Sequence, residues 1–260
     1  MLFKQMRSKI LWTSNVTKSF GGVRALKGVS IRVEEGSITM MIGPNGSGKT
    51  TLINVISGIY EPDDGKVFFN GREITGLKPH EIFKLGLART FQIPQPFTKL
   101  TVLENLLVAY PDNPGERFFG ALRRGRWMRV EEEAVEKAFK ILQLLKLDHL
   151  WDQQSYKLSG GQMKLLEVGR ALMSDARLIM MDEPAAGVNP VLAHEIFRRF
   201  RELRDRLGVT FFLVEHRLEI ALRYTDYVYA MANGLVVAEG VPETVMVNPQ
   251  VVEAYLGVER

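Results

Sequence analysis

The chain has 260 residues, 46% of them hydrophobic and 25% charged, enough to bury a large core in one two-lobed domain or two small domains. A formal net charge of +4 falls short of the dense basic surface of a dedicated nucleic-acid binder, and the absence of cysteine excludes disulfides, cysteine-ligated zinc and thiol catalysis. No stretch reaches the roughly 18 apolar residues of a membrane span, and residues 1–20 mix charge into their apolar positions, so the expectation is a chain that neither crosses a bilayer nor is exported.

In chain order, "VRALKGVSIRVEEG" from Val23 alternates apolar and polar positions, the period of a half-exposed strand. "ITMMIG" from Ile38 is apolar throughout, as a parallel strand covered on both faces is. It leads into "GPNGSGKTT" at Gly43 and the amphipathic "KTTLINVISGIY" at Lys49. "GKVFFNGREI" from Gly65 alternates again and predicts, with the first segment, an antiparallel layer. Between Gln92 and Leu158 the strand pattern fades. There "TVLENLLVAY" and "VEEEAVEKAFKILQLLKL" read as helices around an irregular middle, a helical lobe inserted at about 93–165. "LSGGQMKLLEVGRALM" from Leu158 sets a serine and two glycines before another amphipathic helix. "RLIMMD" and "VTFFLVEH" are further buried strands, and "YVYAMANGLVVAEG" predicts a hairpin turning at Asn233 and Gly234. Strands alternating with helices predict the α/β class, a sheet flanked by helices.

The first glycine-rich loop matches a phosphate cradle. Gly43, Pro44, Asn45, Gly46, Ser47 and Gly48 lie between a buried strand and a helix, where converging N–H groups and the helix dipole favour phosphate oxygens. Lys49 reaches the β and γ phosphates, the Thr50 hydroxyl ligates Mg²⁺, and Thr51 completes the loop. Asp182 and Glu183 end a strand. They suit, respectively, Mg²⁺ and its water shell and the polarising of an attacking water; the alternative is that they cap the next helix near "PAAGVNP". In a parallel sheet Gly43, Asp182 and His216 all emerge at strand C-terminal ends, the edge where such folds bind ligands, which assigns His216 to the γ-phosphate and the water. Gln92, in "RTFQIPQPF", is a candidate for Mg²⁺ and the water, or else a polar residue ending a strand. Phe20 is a candidate to stack the base, or else sheet core. With no Asn-Lys-x-Asp guanine reader, ATP is favoured over GTP.

A second cradle needs its own explanation. "LSGGQ" presents successive N–H groups and the Ser159 hydroxyl to an anion at a helix start, yet one nucleotide needs only one cradle. "GPNGSGKTT", "LSGGQ", "LIMMDEP" and the strand-ending "EH", in this order, resemble the ATP-binding-cassette family across essentially the whole chain. The resemblance implies a phosphate-loop ATPase with a RecA-like core, an antiparallel β subdomain and an inserted helical lobe, forming a single domain over residues 1–260. It also implies a head-to-tail pair of cassettes, a homodimer or a pairing with a close paralogue. In that pair Ser159, Gly160, Gly161 and Gln162 of one copy close over the γ-phosphate held by the other. ATP and Mg²⁺ are the implied ligands, with Glu183, His216 and Gln92 as the catalytic residues.

The finer motifs "ARTFQIPQPF", "TVLENLLVAY", "DEPAAGVNP", "EHRLEI" and "NPQVVEAYLG" resemble the ATPase subunits of branched-chain or hydrophobic amino-acid uptake systems, with lipopolysaccharide-export ATPases as close relatives. Integral membrane permease subunits, and through them a solute-binding protein, are the implied partners, with the chain peripheral on the cytoplasmic face of the membrane. Asn189 stands where many cassettes carry aspartate, and Arg217 follows His216 where an acid is frequent. A non-transport cassette acting on nucleic acid is the rival class, but no nucleic-acid partner is expected. Such proteins carry a long coiled coil, cysteine-ligated zinc modules or two phosphate loops. "RFFGALRRGRWMR" interleaves Arg117, Arg123, Arg124, Arg126 and Arg129 with Phe118, Phe119 and Trp127. It reads as a solvated insertion, with anionic lipid as the alternative ligand.

Overall fold

The computed structural model describes residues 8–90, 94–111 and 124–256, without the side chains of 124–127 and 256. The elements run β1 (Lys9–Phe20), β2 (Val23–Val29), β3 (Arg32–Glu34), β4 (Ile38–Ile42), α1 (Lys49–Ile56), β5 (Asp64–Phe69), β6 (Arg72–Glu73), α2 (Pro79–Lys84) and β7 (Leu87–Arg89). They continue with α3 (Val102–Leu107), α4 (Arg124–Leu145), α5 (Gly160–Met173), β8 (Leu178–Asp182), α6 (Pro190–Leu207), β9 (Thr210–Val214), α7 (Leu218–Ala221), β10 (Tyr227–Ala232), β11 (Leu235–Gly240), α8 (Pro242–Met246) and α9 (Pro249–Leu256).

Two sheets result. One is antiparallel, ordered β2-β1-β5-β6 with β3 also paired to β1. The other is ordered β11-β10-β4-β9-β8-β7 and is parallel from β10 to β7, with β11 antiparallel at its edge. The α/β class is thus as expected, and the two alternating segments, 23–36 and 65–74, do lie in the antiparallel sheet. The central β4 and β9 are buried at every residue, which is why they read as unbroken apolar runs.

The sequence reading has no strand before Val23, yet β1 is the longest strand described. Its register shifts between Val16 and Thr17 and between Lys18 and Ser19, and each shift breaks the two-residue period by which a strand is recognised. The hairpin at Asn233 and Gly234 forms as predicted. Both residues have positive φ, 50° and 81°, as a tight two-residue turn between twisted strands requires.

Successive residues of the parallel strands point to opposite faces, so the central sheet has two cores. Met40, Met181, Phe211 and Leu213 face α3, α4, α5 and α6, through residues such as Leu106, Leu142, Leu166 and Phe197. Met41, Met180, Phe212 and Val214 face α1, α2 and the antiparallel sheet, through residues such as Leu52, Ile82, Leu11 and Val67. The helix after the first cradle and the helix after the second therefore lie on opposite faces of one sheet.

Candidate functional site

The phosphate loop joins the end of β4 to the start of α1. Gly43 has φ 147°, and a Cβ there would collide with the Met231 carbonyl oxygen and come within 2.9 Å of Ser47 Oγ. Gly48, the N-cap of α1, has φ 105°, and its Cβ would lie 2.7 Å from the Ala25 carbonyl oxygen. Only glycine satisfies both the dihedral and the close approach at these positions. Because Gly48 has no side chain and the first turn of α1 carries no acid, no capping group competes with an anion for the leading N–H groups.

Lys49 is buried at the centre of this loop. Its ammonium donates to the Gly43 and Pro44 carbonyls at 2.8 and 2.9 Å and to Ser47 Oγ at 3.3 Å. Burial pushes its pKa down, and the carboxylates of Asp182 and Glu183 work against that shift. Ser47 is buried, Thr51 half-buried, and Asn45, Gly46 and Thr50 are exposed.

The parallel pairing of β4, β9 and β8 brings three strand ends to the same edge. Asp182 pairs with Val214, and the Glu183 amide donates to the Val214 carbonyl at 2.8 Å. His216 Nε2 lies 3.3 Å from Glu183 Oε1. Burial raises the Asp182 carboxyl above the usual range and Glu183 adds to this, while Arg89, Lys49 and His216 hold it partly down. Lys49, the Asp182–Glu183 pair and His216, chosen from three motifs, are thus brought together, with Lys49, Glu183 and His216 all within electrostatic reach of Asp182. The capping alternative for the two acids is not realised, because the following helix α6 is capped by Asn189, whose Oδ1 accepts from the Leu192 amide at 2.9 Å.

Several neighbours of the site lie inside the quoted motifs without having been assigned a role there. Arg89, at the end of β7, donates to Asn54 Oδ1 at 2.6 Å and Ser57 Oγ at 2.9 Å and places its charge near Asp182. A cation ending a buried strand was the available signal for it. Glu215, only 1% exposed, accepts from the amides of Ala185 at 2.6 Å, His216 at 3.0 Å and Arg217 at 3.2 Å, tying the turns after β8 and β9 together. Arg217 in turn donates to the Val188 carbonyl at 2.7 Å. Tyr255 of α9 accepts from the Gly43 amide at 2.8 Å, a contact across 212 residues of sequence that leaves no local trace. Phe20 is 43% exposed and meets Tyr60 edge-on, with ring centroids 5.1 Å apart, so a second aromatic stands beside the predicted base-stacking residue. Gln92 lies outside the described residues.

The second glycine-rich segment has a different setting. Ser159 and Gly160 are exposed. Ser159 caps α5, its hydroxyl accepting from the Gln162 amide at 3.4 Å while Gln162 Oε1 accepts from the Ser159 amide at 2.8 Å. Gly161 is packed, since a Cβ there would lie 2.7 Å from Leu192 Cγ. Gly160 is not, since a Cβ there would meet nothing within 4 Å. The chain's own packing makes no demand for glycine at position 160.

The segment at residues 94–100, which precedes α3, rides on α5. The Gln95 amide donates to Glu167 at 3.0 Å, and its carbonyl accepts from Arg170 at 3.1 Å. The Arg170 guanidinium also lies 5.1 Å from the centre of the half-exposed Phe97 ring. Of the arginine-aromatic segment, Arg117, Phe118, Phe119 and Arg123 and the side chains of Arg124, Arg126 and Trp127 lie outside the described residues; Arg129 is exposed and pairs with Glu133 at 3.3 Å. Among the described residues no helix is long and apolar enough to cross a membrane.

The sequence profile described as "ABC transporter" matches residues 26–186, and one described as "Branched-chain amino acid ATP-binding cassette transporter" matches residues 236–260. The chain is similar to the probable branched-chain amino acid transport ATP-binding protein LivG of Archaeoglobus fulgidus, 61% identical over 251 residues and 96% of each chain. It is also similar to the crystal structure of the ADP conformation of an ATP-binding cassette of an ABC transporter, with a TM-score of 0.83 and 50% identity over 96% of this chain and 99% of that one. A dimeric cassette in a post-hydrolysis state bound to ADP and Pi matches with a TM-score of 0.71 and 26% identity, over 89% of this chain and 98% of that one.

Proposed function

The chain belongs to the ABC transporter family, in its branched-chain amino-acid ATP-binding branch, and on that premise we infer that it is the ATP-binding and ATP-hydrolysing subunit of a transporter for branched-chain or hydrophobic amino acids. The observation that carries the reading is the gathering of Lys49, Asp182, Glu183 and His216 at one edge of the parallel sheet, beside a loop that has the backbone of a phosphate cradle.

In this reading residues Gly43–Thr51 wrap the triphosphate. Lys49 exchanges its bonds to the loop carbonyls for the β and γ oxygens, and Phe20 stacks the base. Glu183 orients and deprotonates the attacking water, with His216 beside it on the γ-phosphate side and Gln92 contributing from the segment before residue 94. Thr50, Asp182 and Gln92 offer hard oxygen donors. Among the described residues no group of three or more carboxylate or imidazole side chains is placed to enclose a metal, and this suits Mg²⁺, which keeps several waters and shares phosphate oxygens. When bound, Mg²⁺ neutralises charge that builds on the β and γ phosphates.

The second cradle serves the other copy's nucleotide. α1 and α5 lie on opposite faces of the sheet, and Gly160 is exposed with no packing reason to be glycine, both of which suit a segment presented to a partner. Two cassettes, identical or paralogous, pair head to tail, and Ser159, Gly160, Gly161 and Gln162 of each close over the γ-phosphate of the other. Shifting an open-closed equilibrium from about 1:99 to 99:1 takes roughly 5.5 kcal/mol, and charge-assisted hydrogen bonds contribute about 1.5–3 kcal/mol each, so about two to four γ-phosphate contacts suffice. Cleavage removes them and the pair opens. Permease subunits dock near the segment 94–100, whose contacts to Glu167 and Arg170 link it to α5. The whole chain works as one cassette at the cytoplasmic face of the membrane, held there by the permease subunits. It meets a solute-binding protein only indirectly and engages no nucleic acid.

Glu183→Gln tests the catalytic assignment. The variant is expected to keep ATP affinity while turnover falls by a factor on the order of a hundred or more, with accumulation of an ATP-loaded dimer on size exclusion. Turnover at the parent rate removes Glu183 as the acid-base residue.

A further inference from the structure

The signature helix α5 carries a buried cation to which the reading above gives no role. Lys164 is 6% exposed, two residues beyond Gln162, and its ammonium donates to the carbonyls of Glu183 and Ala186, both at 2.9 Å. These two residues bound the turn after β8, which is closed by a bond from the Ala186 amide to the Glu183 carbonyl at 3.0 Å. Glu183 itself has φ 52°, a left-handed conformation that a non-glycine residue keeps only where its surroundings over-determine it. Its amide is held by Val214, the Ala185 amide by Glu215, and its carbonyl by Lys164. Two of these anchors come from β9 and the turn after it; the third comes from α5.

We propose that Lys164 is a positioning residue through which helix α5 sets the orientation of the Glu183 carboxylate. An ammonium buried for packing alone has no reason to spend two donors on the carbonyls of one turn. Burial pushes the pKa of Lys164 down, and the carboxylates of Glu215, Glu183 and Glu167 around it offset that shift only in part. Helix α5 runs 14 residues and is buried along most of its length, with the segment Ser159–Gln162 at its start and Lys164 in its second turn. Movement of that start onto a partner's phosphate is transmitted to the Glu183 carbonyl, and so to the acid of the chain's own site. The proposal rests on the assignment of Glu183 made above.

The test compares Lys164→Met, Lys164→Arg and Glu183→Gln, each assayed for thermal unfolding, ATP affinity and steady-state turnover across ATP concentration. Lys164→Met is expected to bind ATP within about threefold of the parent while kcat falls about ten- to a hundredfold, the scale of a misplaced catalytic group. Lys164→Arg, which keeps a cationic donor, is expected to recover kcat to within about threefold. A kcat for Lys164→Met within about twofold of the parent overturns the proposal. So does an Arg variant as slow as the Met variant when both are folded and bind ATP. If Lys164→Met yields no folded protein, Lys164→Gln, with one amide donor, decides in its place: an intermediate kcat supports the proposal and a parental one overturns it. Parental turnover in Glu183→Gln instead defeats the underlying assignment, whatever the Lys164 variants do.

Discussion

Asp182 is held where its own charge is disfavoured. Burial raises its pKa first, Glu183 adds to the shift, and the nearby cations offset it only in part. Its folded pKa lies above an unfolded value of roughly 3.9, so the stabilisation tied to its proton is complete below that pH and is lost as pH rises through the folded value. Above the folded value the nucleotide-free protein carries the full cost of the ionised carboxylate. Asp182→Asn is expected to raise the thermal unfolding midpoint of the nucleotide-free protein at neutral pH, with the difference from the parent shrinking on acidification, while ATP turnover is lost. Calorimetry across pH checks the sign. Residues of this kind were legible in the sequence because each opens or ends an element inside a motif. Arg89, Lys164 and Glu215 also fall inside quoted segments, but their roles were hidden, because these are set by contacts to elements distant along the chain, such as the Lys164 bond to Glu183 across 19 residues and that of Glu215 to Ala185 across 30.

Helix α6 shows how a departure from a family pattern finds a structural use. Asn189, where aspartate is common, caps the helix by accepting from the Leu192 amide, and Pro190 follows at the first helical position. Asn189→Ala is expected to cost about 1 kcal/mol in equilibrium urea unfolding, while Asn189→Asp, an equivalent cap, stays close to the parent. The continuous apolar strands β4, β8 and β9 and the hairpin β10–β11 were readable because burial on both faces and a two-residue turn leave patterns that span only a few residues. β1 was hidden by its bulges, and the tie between α9 and Gly43 by its reach across the chain. Placement of α1 and α5 on opposite faces of the sheet was also beyond the sequence, since helical periodicity gives a buried stripe but not the face it is buried against.

For the molecule as a whole, the opposite placement of the two cradles makes complementation the decisive measurement. Lys49→Ala disables the phosphate loop of a copy, and Gly160→Asp, introduced where a Cβ meets nothing in its own chain, disables its signature segment without disturbing its fold. Neither variant alone is expected to turn over ATP. Mixed, they rebuild one intact site per heterodimer, and turnover of the mixture is expected to rise well above either parent, up to about a quarter of the unmodified rate if the copies pair at random and sites fire independently. Equal turnover in the mixture and in the separate variants argues for a site closed within one chain.

The strand order of the parallel sheet also governs how the chain is made. β4, which carries the phosphate loop, is flanked by β9 and β10, so both of its neighbours are synthesised roughly 170 to 185 residues after it. A ribosome that stalls between Thr51 and Thr210 leaves behind a polypeptide with every residue of the loop and neither partner strand of β4. Contacts so far apart in sequence close slowly, which makes the exposed edges of "ITMMI" the segment most in need of protection by a chaperone during translation.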